Sequence, residues 1–395
     1  MLNSIAEIII AGMIASWLCR LIRIPDLVGF LLIGILFGPY VLQIIDPALA
    51  LMSGELRTAA LIVILLRAGF ELRKDTLKKV GKQALLLALL PPAFEAAAVA
   101  FISVQTTVMT WPEGIMLGMI LSAVSPAAVV PLMIRFRNEK RGTAKGIPTL
   151  VLAASSLNNV LVLIVFSVLV NILTAPSAMI DAADYLKIPA SMLTGLLVGV
   201  PAGLLLIKVF DQFNPRATRR VLLIMAIAVL FLRLEKEIEP WVPFAALLSI
   251  MTLGYVILNK REHAAHEISQ KLAKIWILAE MILFTLVGAE VNPEIAIQSG
   301  ITGLMIIFGG LLIRSLVTWF CLSGTSLTAR EKGFIVISYI PKATVQAAIG
   351  AVPLALTHSA GAAIILAVAV LSIVVTAPLG AIAIEITGKK WLEKA

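Results

Sequence analysis

The sequence predicts an all-α polytopic membrane protein, and three observations support that class. Of the 395 residues, 60% are hydrophobic and only 14% are charged, whereas a soluble domain averages about 25% charged residues. The mean hydropathy is +1.02. Apolar runs of the length that crosses a bilayer, about 20 residues each, follow one another along the chain. The chain therefore reads as a single membrane domain with almost no room for a soluble one.

We predict about thirteen transmembrane helices joined by short loops. The first apolar run begins at Ile5 with no basic stretch before it, so we interpret it as the first span and not as a cleavable signal. The predicted spans are residues 3–19, 27–45, 58–72, 82–106, 113–134, 148–174, 188–209, 220–234, 241–258, 274–291, 299–322, 333–352 and 360–386.

Basic residues predict the orientation of these spans. Most of the 32 Lys and Arg residues fall in every second loop, and such residues are retained on the cytoplasmic side. We therefore place the N-terminus on the outer side and the C-terminus on the cytoplasmic side of the cell (inner) membrane. The net charge of +9 then reflects basic cytoplasmic loops and does not indicate nucleic-acid binding. The basic segments are residues 20–23, 73–82, 135–145, 208–220, 260–274, 330–332 and 389–394.

Two predicted spans carry proline near their centres. One contains Ser125 and Pro126, and the other contains Pro341. Proline removes a backbone donor and clashes with the carbonyl four residues before it. By the loop charges the two spans run in opposite directions, and each is the middle member of a triple of spans. This pattern predicts an inverted repeat with two broken helices, the arrangement that marks substrate sites in secondary transporters.

Polar side chains inside the apolar spans mark a candidate site. The adjacent amides Asn158 and Asn159 lie in the middle of span 148–174, where an amide without a partner is costly to bury. Glu95, Arg314 and Lys342 also fall within spans, and a charge at the bilayer centre costs about 2.5–3.5 kcal/mol. We expect Glu95 to pair with Arg314, which leaves Lys342 without an obvious counter-charge.

Small residues predict close helix packing. Gly195, Gly199 and Gly203 recur every four residues in one span, and Gly34 and Gly38 do so in another. Such faces let helices approach closely. They fit packing within the chain or, alternatively, a homodimer interface.

Enzymatic and metal chemistry are poorly supported. The two cysteines, Cys19 and Cys321, give neither a disulfide framework nor metal-ligand spacing. The three histidines, His263, His266 and His358, show no arrangement of nucleophile and base. We predict a transporter without a cofactor, and not an enzyme.

Several motifs resemble those of the cation/proton antiporter superfamily. They are residues 29–39 (GFLLIGILFGP), Ser125 with Pro126, residues 286–291 (LVGAEV) and residues 340–348 (IPKATVQAA). They occur in order over essentially the whole chain. The match is closest to the bacterial sodium/proton antiporters and the animal sodium/hydrogen exchangers that carry a double-aspartate motif.

This resemblance implies a homodimer whose six-helix core moves like an elevator in the lipid bilayer. The core halves would be residues 82–174 and 299–386, and residues 1–72 and 188–291 would form the dimerisation scaffold. The transported ions would be Na⁺ (or Li⁺) and H⁺, with Na⁺ at the positions of Asn158 and Asn159. Glu95 and Arg314 would form the charge pair of the core. The other implied translocation residues are Ser125, Pro126, Ser155, Lys342 and Thr344.

The chain departs from the family at the ion site, because Asn158 and Asn159 replace carboxylates. An amide offers a carbonyl oxygen to a hard cation but has no titratable proton, so we expect exchange to be impaired. Asparagine is nearly isosteric with protonated aspartate, and the pair is compatible with a neutralised variant and with a divergent natural member. Two alternatives remain: a transporter that uses Glu95, Arg314 and Lys342 for protons or anions, and a non-transporting membrane sensor or scaffold.

Overall fold

The computed structural model describes residues 2–21, 24–71, 81–174, 182–238, 241–357 and 359–394. His358 and much of the predicted basic segment 73–82 lie outside these described residues. The helices in chain order are α1 (Leu2–Leu21), α2 (Asp26–Phe37), α3 (Pro47–Leu51), α4 (Ser53–Glu71), α5 (Lys82–Thr106), α6 (Trp111–Ser122), α7 (Pro126–Asn138), α8 (Ile147–Thr174), α9 (Ala182–Phe213), α10 (Ala217–Ile238), α11 (Ala246–Lys260), α12 (Glu262–Ala289), α13 (Pro293–Gln298), α14 (Gly300–Cys321), α15 (Ala329–Ser338), α16 (Thr344–Gly350), α17 (Val352–Thr357) and α18 (Ala360–Trp391).

The prediction of an all-α membrane protein is confirmed. Within the described residues, the β structure is limited to an isolated β-bridge between Arg141 and Lys394. By length and composition, 7 helices of the described chain can cross a membrane, so the protein is a multi-pass membrane protein. They are Leu2–Leu21, Lys82–Thr106, Ile147–Phe166, Ala190–Phe213, Glu262–Ala289, Gly300–Cys321 and Ala360–Trp391. The count of thirteen spans stays a prediction.

The chain divides into two compact units. Unit 1 comprises Met1–Gly54, Val80–Val162 and Met281–Ala395. In it α5 packs against both α6 and α14, and the long helix α18 contacts α6, α7 and α14 through α17. The two phenylalanines of α7 and α15, Phe136 and Phe334, meet edge to face with ring centroids 5.9 Å apart. This unit contains the candidate site.

Capping boxes fix where two helices of unit 1 begin. At α6, the Glu113 carboxylate accepts from the Thr110 backbone N–H at 2.8 Å, and the same carboxylate accepts from the Ser359 hydroxyl at 2.6 Å. At α15, Thr328 and Glu331 form the equivalent box. Each box satisfies backbone donors that a helix N-terminus leaves unpaired, so these two short helices have defined first turns.

Unit 2 comprises Glu55–Lys79 and Leu163–Glu280, and its main contact joins α9 to α11. The glycine face of α9 makes this contact possible. A Cβ atom added at Gly195 would lie 2.9 Å from the Ala245 carbonyl oxygen, and one added at Gly199 would lie 2.8 Å from that of Ser249. These glycines therefore pack within the chain, which leaves the homodimer a prediction that rests on the family resemblance.

Candidate functional site

A short extended segment separates α6 from α7. Helix α6 ends at Ser122, Ala123 and Ser125 have extended backbone angles, and α7 begins at Pro126. The Ser125 hydroxyl caps α7 by accepting from the Ala128 N–H at 3.3 Å. The missing N–H of proline suits the first position of a helix, which explains why the sequence restarts a helix at this point.

A second non-helical segment separates α15 from α16. Helix α15 ends at Ser338 and α16 begins at Thr344. Within the segment, the Lys342 N–H donates to the Thr376 hydroxyl of α18 at 2.9 Å. A Cβ atom at Gly380 of α18 would lie 2.5 Å from the Pro341 ring. Helix α18 thus supplies both a polar partner and the space that this segment requires.

The two non-helical segments, residues 123–125 and 339–343, are hydrogen-bonded to each other at a place that we call the crossing. The Ser125 N–H donates to the Pro341 carbonyl at 3.0 Å. Gln346, which is completely buried, donates to the Ala123 carbonyl at 2.7 Å and accepts from the Ala343 N–H at 2.8 Å. Backbone groups freed by the two interruptions are thereby satisfied inside the protein, as buried polar groups require.

The adjacent asparagines of α8, Asn158 and Asn159, lie against the first of these segments. The Asn159 side-chain oxygen accepts from the Val124 N–H at 2.9 Å. The Asn158 amide donates to the Ser122 carbonyl at 3.3 Å and to the Asn159 oxygen at 3.4 Å. Their exposed fractions are 0% and 6%. Among the described residues, no hydrogen-bond donor reaches the Oδ1 atom of Asn158.

A three-residue charge cluster lies beside the crossing. The Lys342 ammonium donates to Glu95 Oε1 at 2.7 Å, and the Arg314 Nη1 atom donates to Glu95 Oε2. The same Nη1 atom donates to the Ser122 carbonyl at 2.7 Å, which is also the acceptor of Asn158. The guanidinium lies over the Tyr339 ring, 5.2 Å from its centroid. The three charged side chains are each 1% exposed.

The expectation that Lys342 lacks a counter-charge was wrong. Glu95 has two carboxylate oxygens, and the structure gives one to Arg314 and the other to Lys342. The sequence shows one acidic residue and two basic residues in separate spans. It does not show that α5 lies within reach of both α14 and the segment before α16.

The remaining predicted residues occupy different positions around the crossing. Ser155 is 2% exposed, but its hydroxyl donates to the Leu152 carbonyl of its own helix at 3.1 Å. Thr344 is the first residue of α16 and is 9% exposed. Their proposed parts in translocation stay predictions.

Sequence reasoning passed over Gln346 and Thr376, which hold the second segment in place. Gln346 is a buried amide in an apolar span, the same signal that marked the asparagines. Thr376 gives no such signal. Its hydroxyl also donates to the Ser372 carbonyl of its own helix at 2.7 Å, and isolated threonines are common in membrane helices.

Comparison with known proteins identifies the family to which this arrangement corresponds. Residues 8–390 match the family described as "Sodium/hydrogen exchanger, transmembrane". The chain is 31% identical to mouse sodium/hydrogen exchanger 9B2, over 94% of this chain and 69% of that protein. It is 29% identical to human sodium/hydrogen exchanger 9B1, over 97% of this chain and 77% of that protein.

The fold also has a solved counterpart. The sodium proton antiporter MjNhaP1 from Methanocaldococcus jannaschii at pH 8 superposes with a TM-score of 0.80 and 20% sequence identity. The match covers 99% of this chain and 98% of that chain. At this level of identity the likeness concerns the fold.

Proposed function

The chain belongs to the sodium/hydrogen exchanger family. We propose that it has the architecture of an antiporter that exchanges a monovalent cation, most plainly Na⁺, for protons across a membrane. In this proposal the core moves by elevator-type alternating access, and exchange is impaired because Asn158 and Asn159 stand where the family carries carboxylates. The proposed setting is the cell (inner) membrane, with a homodimer as the functional unit.

The crossing of the two non-helical segments carries this proposal. The hydrogen bond between Ser125 and Pro341 joins them. Asn158 donates to the Ser122 carbonyl at the end of α6, and Asn159 accepts from the Val124 N–H of the first segment. Irregular backbone at membrane depth is tolerated where it is enclosed by protein or lines a cavity. We infer that α6 with α7, and α15 with α16, are the two broken helices of an inverted repeat.

The finer architecture follows from the same reading. We infer thirteen spans with the N-terminus outside and the C-terminus inside. An odd number of spans is required for the alternate basic loops and the basic C-terminal segment to lie together on the cytoplasmic side. Residues 82–174 and 299–386 form the moving core in this scheme, and residues 1–72 and 188–291 form the scaffold on which it moves.

The hydrogen bonds at the crossing support impaired cation binding. A hard cation needs several oxygen ligands, but the Glu95 oxygens are taken by Lys342 and Arg314. The Asn159 and Gln346 side-chain oxygens accept from backbone N–H groups. Among the carboxylate and amide oxygens of the described site, only Asn158 Oδ1 has no donor. One free oxygen is a poor cation site, and it carries no proton to exchange.

The test is to restore the carboxylates. We expect the double variant Asn158→Asp with Asn159→Asp, reconstituted in proteoliposomes, to show Na⁺-dependent proton flux about tenfold above the unchanged chain, a change equivalent to about 1.4 kcal/mol. Flux is measured with an internal pH dye after an imposed Na⁺ gradient, with K⁺ and Li⁺ gradients in parallel.

Asn138→Asp is the matched control, because Asn138 is exposed at the end of α7. It adds a carboxylate away from the crossing and should leave flux at the level of the unchanged chain. The absence of Na⁺-dependent proton flux in the double variant, the control and the unchanged chain alike would contradict the antiporter assignment and favour a non-transporting membrane sensor. Strong exchange in the unchanged chain would contradict the impairment.

A further inference from the structure

The buried charges beside the crossing do not balance. In the described part of unit 1, this cluster contains two cationic side chains, Arg314 and Lys342, and one carboxylate, Glu95. The side chains at positions 158 and 159 are neutral amides. With the ammonium and guanidinium both protonated, the cluster carries one net positive charge in a nearly solvent-free environment. An uncompensated buried charge is strongly unfavourable.

The hydrogen bonds of the cluster show a matching excess of donors over acceptors. Within the described residues, the Nε and Nη2 atoms of Arg314 have no hydrogen-bond acceptor. Both Glu95 oxygens already accept. The cluster therefore has guanidinium N–H donors without an acceptor, and each carboxylate oxygen is already paired with a cation, which favours an anion over a further cation.

We propose that the charge cluster of Glu95, Arg314 and Lys342 binds a small monovalent anion of the halide class. The anion accepts from the free N–H groups of Arg314 and neutralises the excess charge. We name a single small ion because the unpaired guanidinium atoms are enclosed by protein, and a larger anion would have to displace more of the surrounding side chains. This inference goes beyond the proposed cation exchange and does not require it.

Chloride is the probe. We expect the unchanged protein, purified in detergent with lipid, to bind radiolabelled chloride saturably at about one site per chain. Replacing gluconate by chloride at constant ionic strength should raise the midpoint of thermal unfolding by about 3 °C, because a ligand that binds only the folded state stabilises it. Chloride binding does not depend on cation flux, so this test can fail while the antiporter assignment stands, and the reverse.

Two variants remove the charge excess by different routes. Asn158→Asp adds a carboxylate beside the guanidinium, since Asn158 and Arg314 share the Ser122 carbonyl. Lys342→Met removes one cation and leaves the pair of Glu95 and Arg314. Both should lose chloride binding and the chloride-dependent rise in the unfolding temperature. Because they act through different residues, failure of one to fold leaves the other as the test.

Lys389→Met is the matched control, because Lys389 is half-exposed and pairs with Glu385 at 2.7 Å. It should keep full chloride binding. The absence of chloride binding and of a chloride effect in the unchanged protein would overturn the proposal and indicate an uncharged Lys342. Chloride binding retained in both charge-balancing variants would overturn it as well, because the anion would then bind elsewhere.

Discussion

At the scale of single residues, Glu95 is the carboxylate that compensates both buried cations of the charge cluster. Its two oxygens serve Arg314 and Lys342, and it is 1% exposed. A buried carboxylate is stable as an ion when cations and hydrogen bonds surround it. Removing it would leave two cations facing each other without compensation, whereas removing Lys342 would leave a simple pair.

We therefore expect Glu95→Gln to reduce the free energy of unfolding by about 3–5 kcal/mol, the range for breaking a buried ion pair from one side. Adding Lys342→Met to Glu95→Gln should recover part of the loss, because the double variant contains one uncompensated cation instead of two. Unfolding in detergent, followed by circular dichroism, measures both effects. A double variant as unstable as the sum of the two single variants would contradict this coupling.

Glu139→Gln is the control for charge removal. Glu139 follows α7 and pairs with Arg135 at 2.9 Å at the surface. The hydrogen bond from Arg135 lowers the pKa of the Glu139 carboxyl, so Glu139→Gln removes a negative charge at neutral pH. Exposed pairs contribute about 0–1 kcal/mol. The control should therefore change stability far less than Glu95→Gln does.

At the scale of elements, Gln346 joins the two non-helical segments that the prolines create. One side-chain amide satisfies the Ala123 carbonyl of the first segment and the Ala343 N–H of the second. Each group comes from backbone that no longer continues a helix. Gln346 thus fixes the crossing that positions the asparagines and the charge cluster.

We expect Gln346→Leu to destabilise the protein by about 1–3 kcal/mol for each backbone group left unpaired. Hydrogen exchange should increase at residues 123–125 and 339–344 before it increases in the flanking helices. Mass spectrometry of deuterium uptake measures this directly. The control Gln298→Leu changes an exposed glutamine at the end of α13 and should have an effect below about 0.5 kcal/mol. Unchanged uptake at both segments in Gln346→Leu would contradict its role.

At the scale of the whole molecule, the distribution of basic residues predicts that the loop after α7 faces the cytoplasm and the loop before α14 faces outside. In a chain whose cysteines, Cys19 and Cys321, are replaced by serine, we expect Glu294→Cys to react with a membrane-impermeant maleimide in intact cells. Asn138→Cys should react only after permeabilisation. Both positions are exposed. The reverse labelling pattern would invert the proposed topology.

The sequence predicted the parts of the site that depend on local chemistry. Adjacent amides in an apolar span marked Asn158 and Asn159, and missing N–H donors at Pro126 and Pro341 marked the two places where helices end and restart. It did not predict Gln346 as the bridge, because a buried glutamine shows no partner in the sequence. Nor did it predict the second ion pair of Glu95, whose partners Arg314 and Lys342 are 219 and 247 residues away along the chain.

The sequence by itself therefore determined the membrane class, the positions of the helix interruptions and the absence of a carboxylate at the tandem amides. These depend on hydrophobicity, on backbone donors and on side-chain chemistry, which each residue carries wherever it lies. The tertiary structure alone decided that one carboxylate is shared by two cations and that, among the amide and carboxylate oxygens of the described site, only Asn158 Oδ1 has no donor. Those facts are distances between separate helices, and only packing sets such distances.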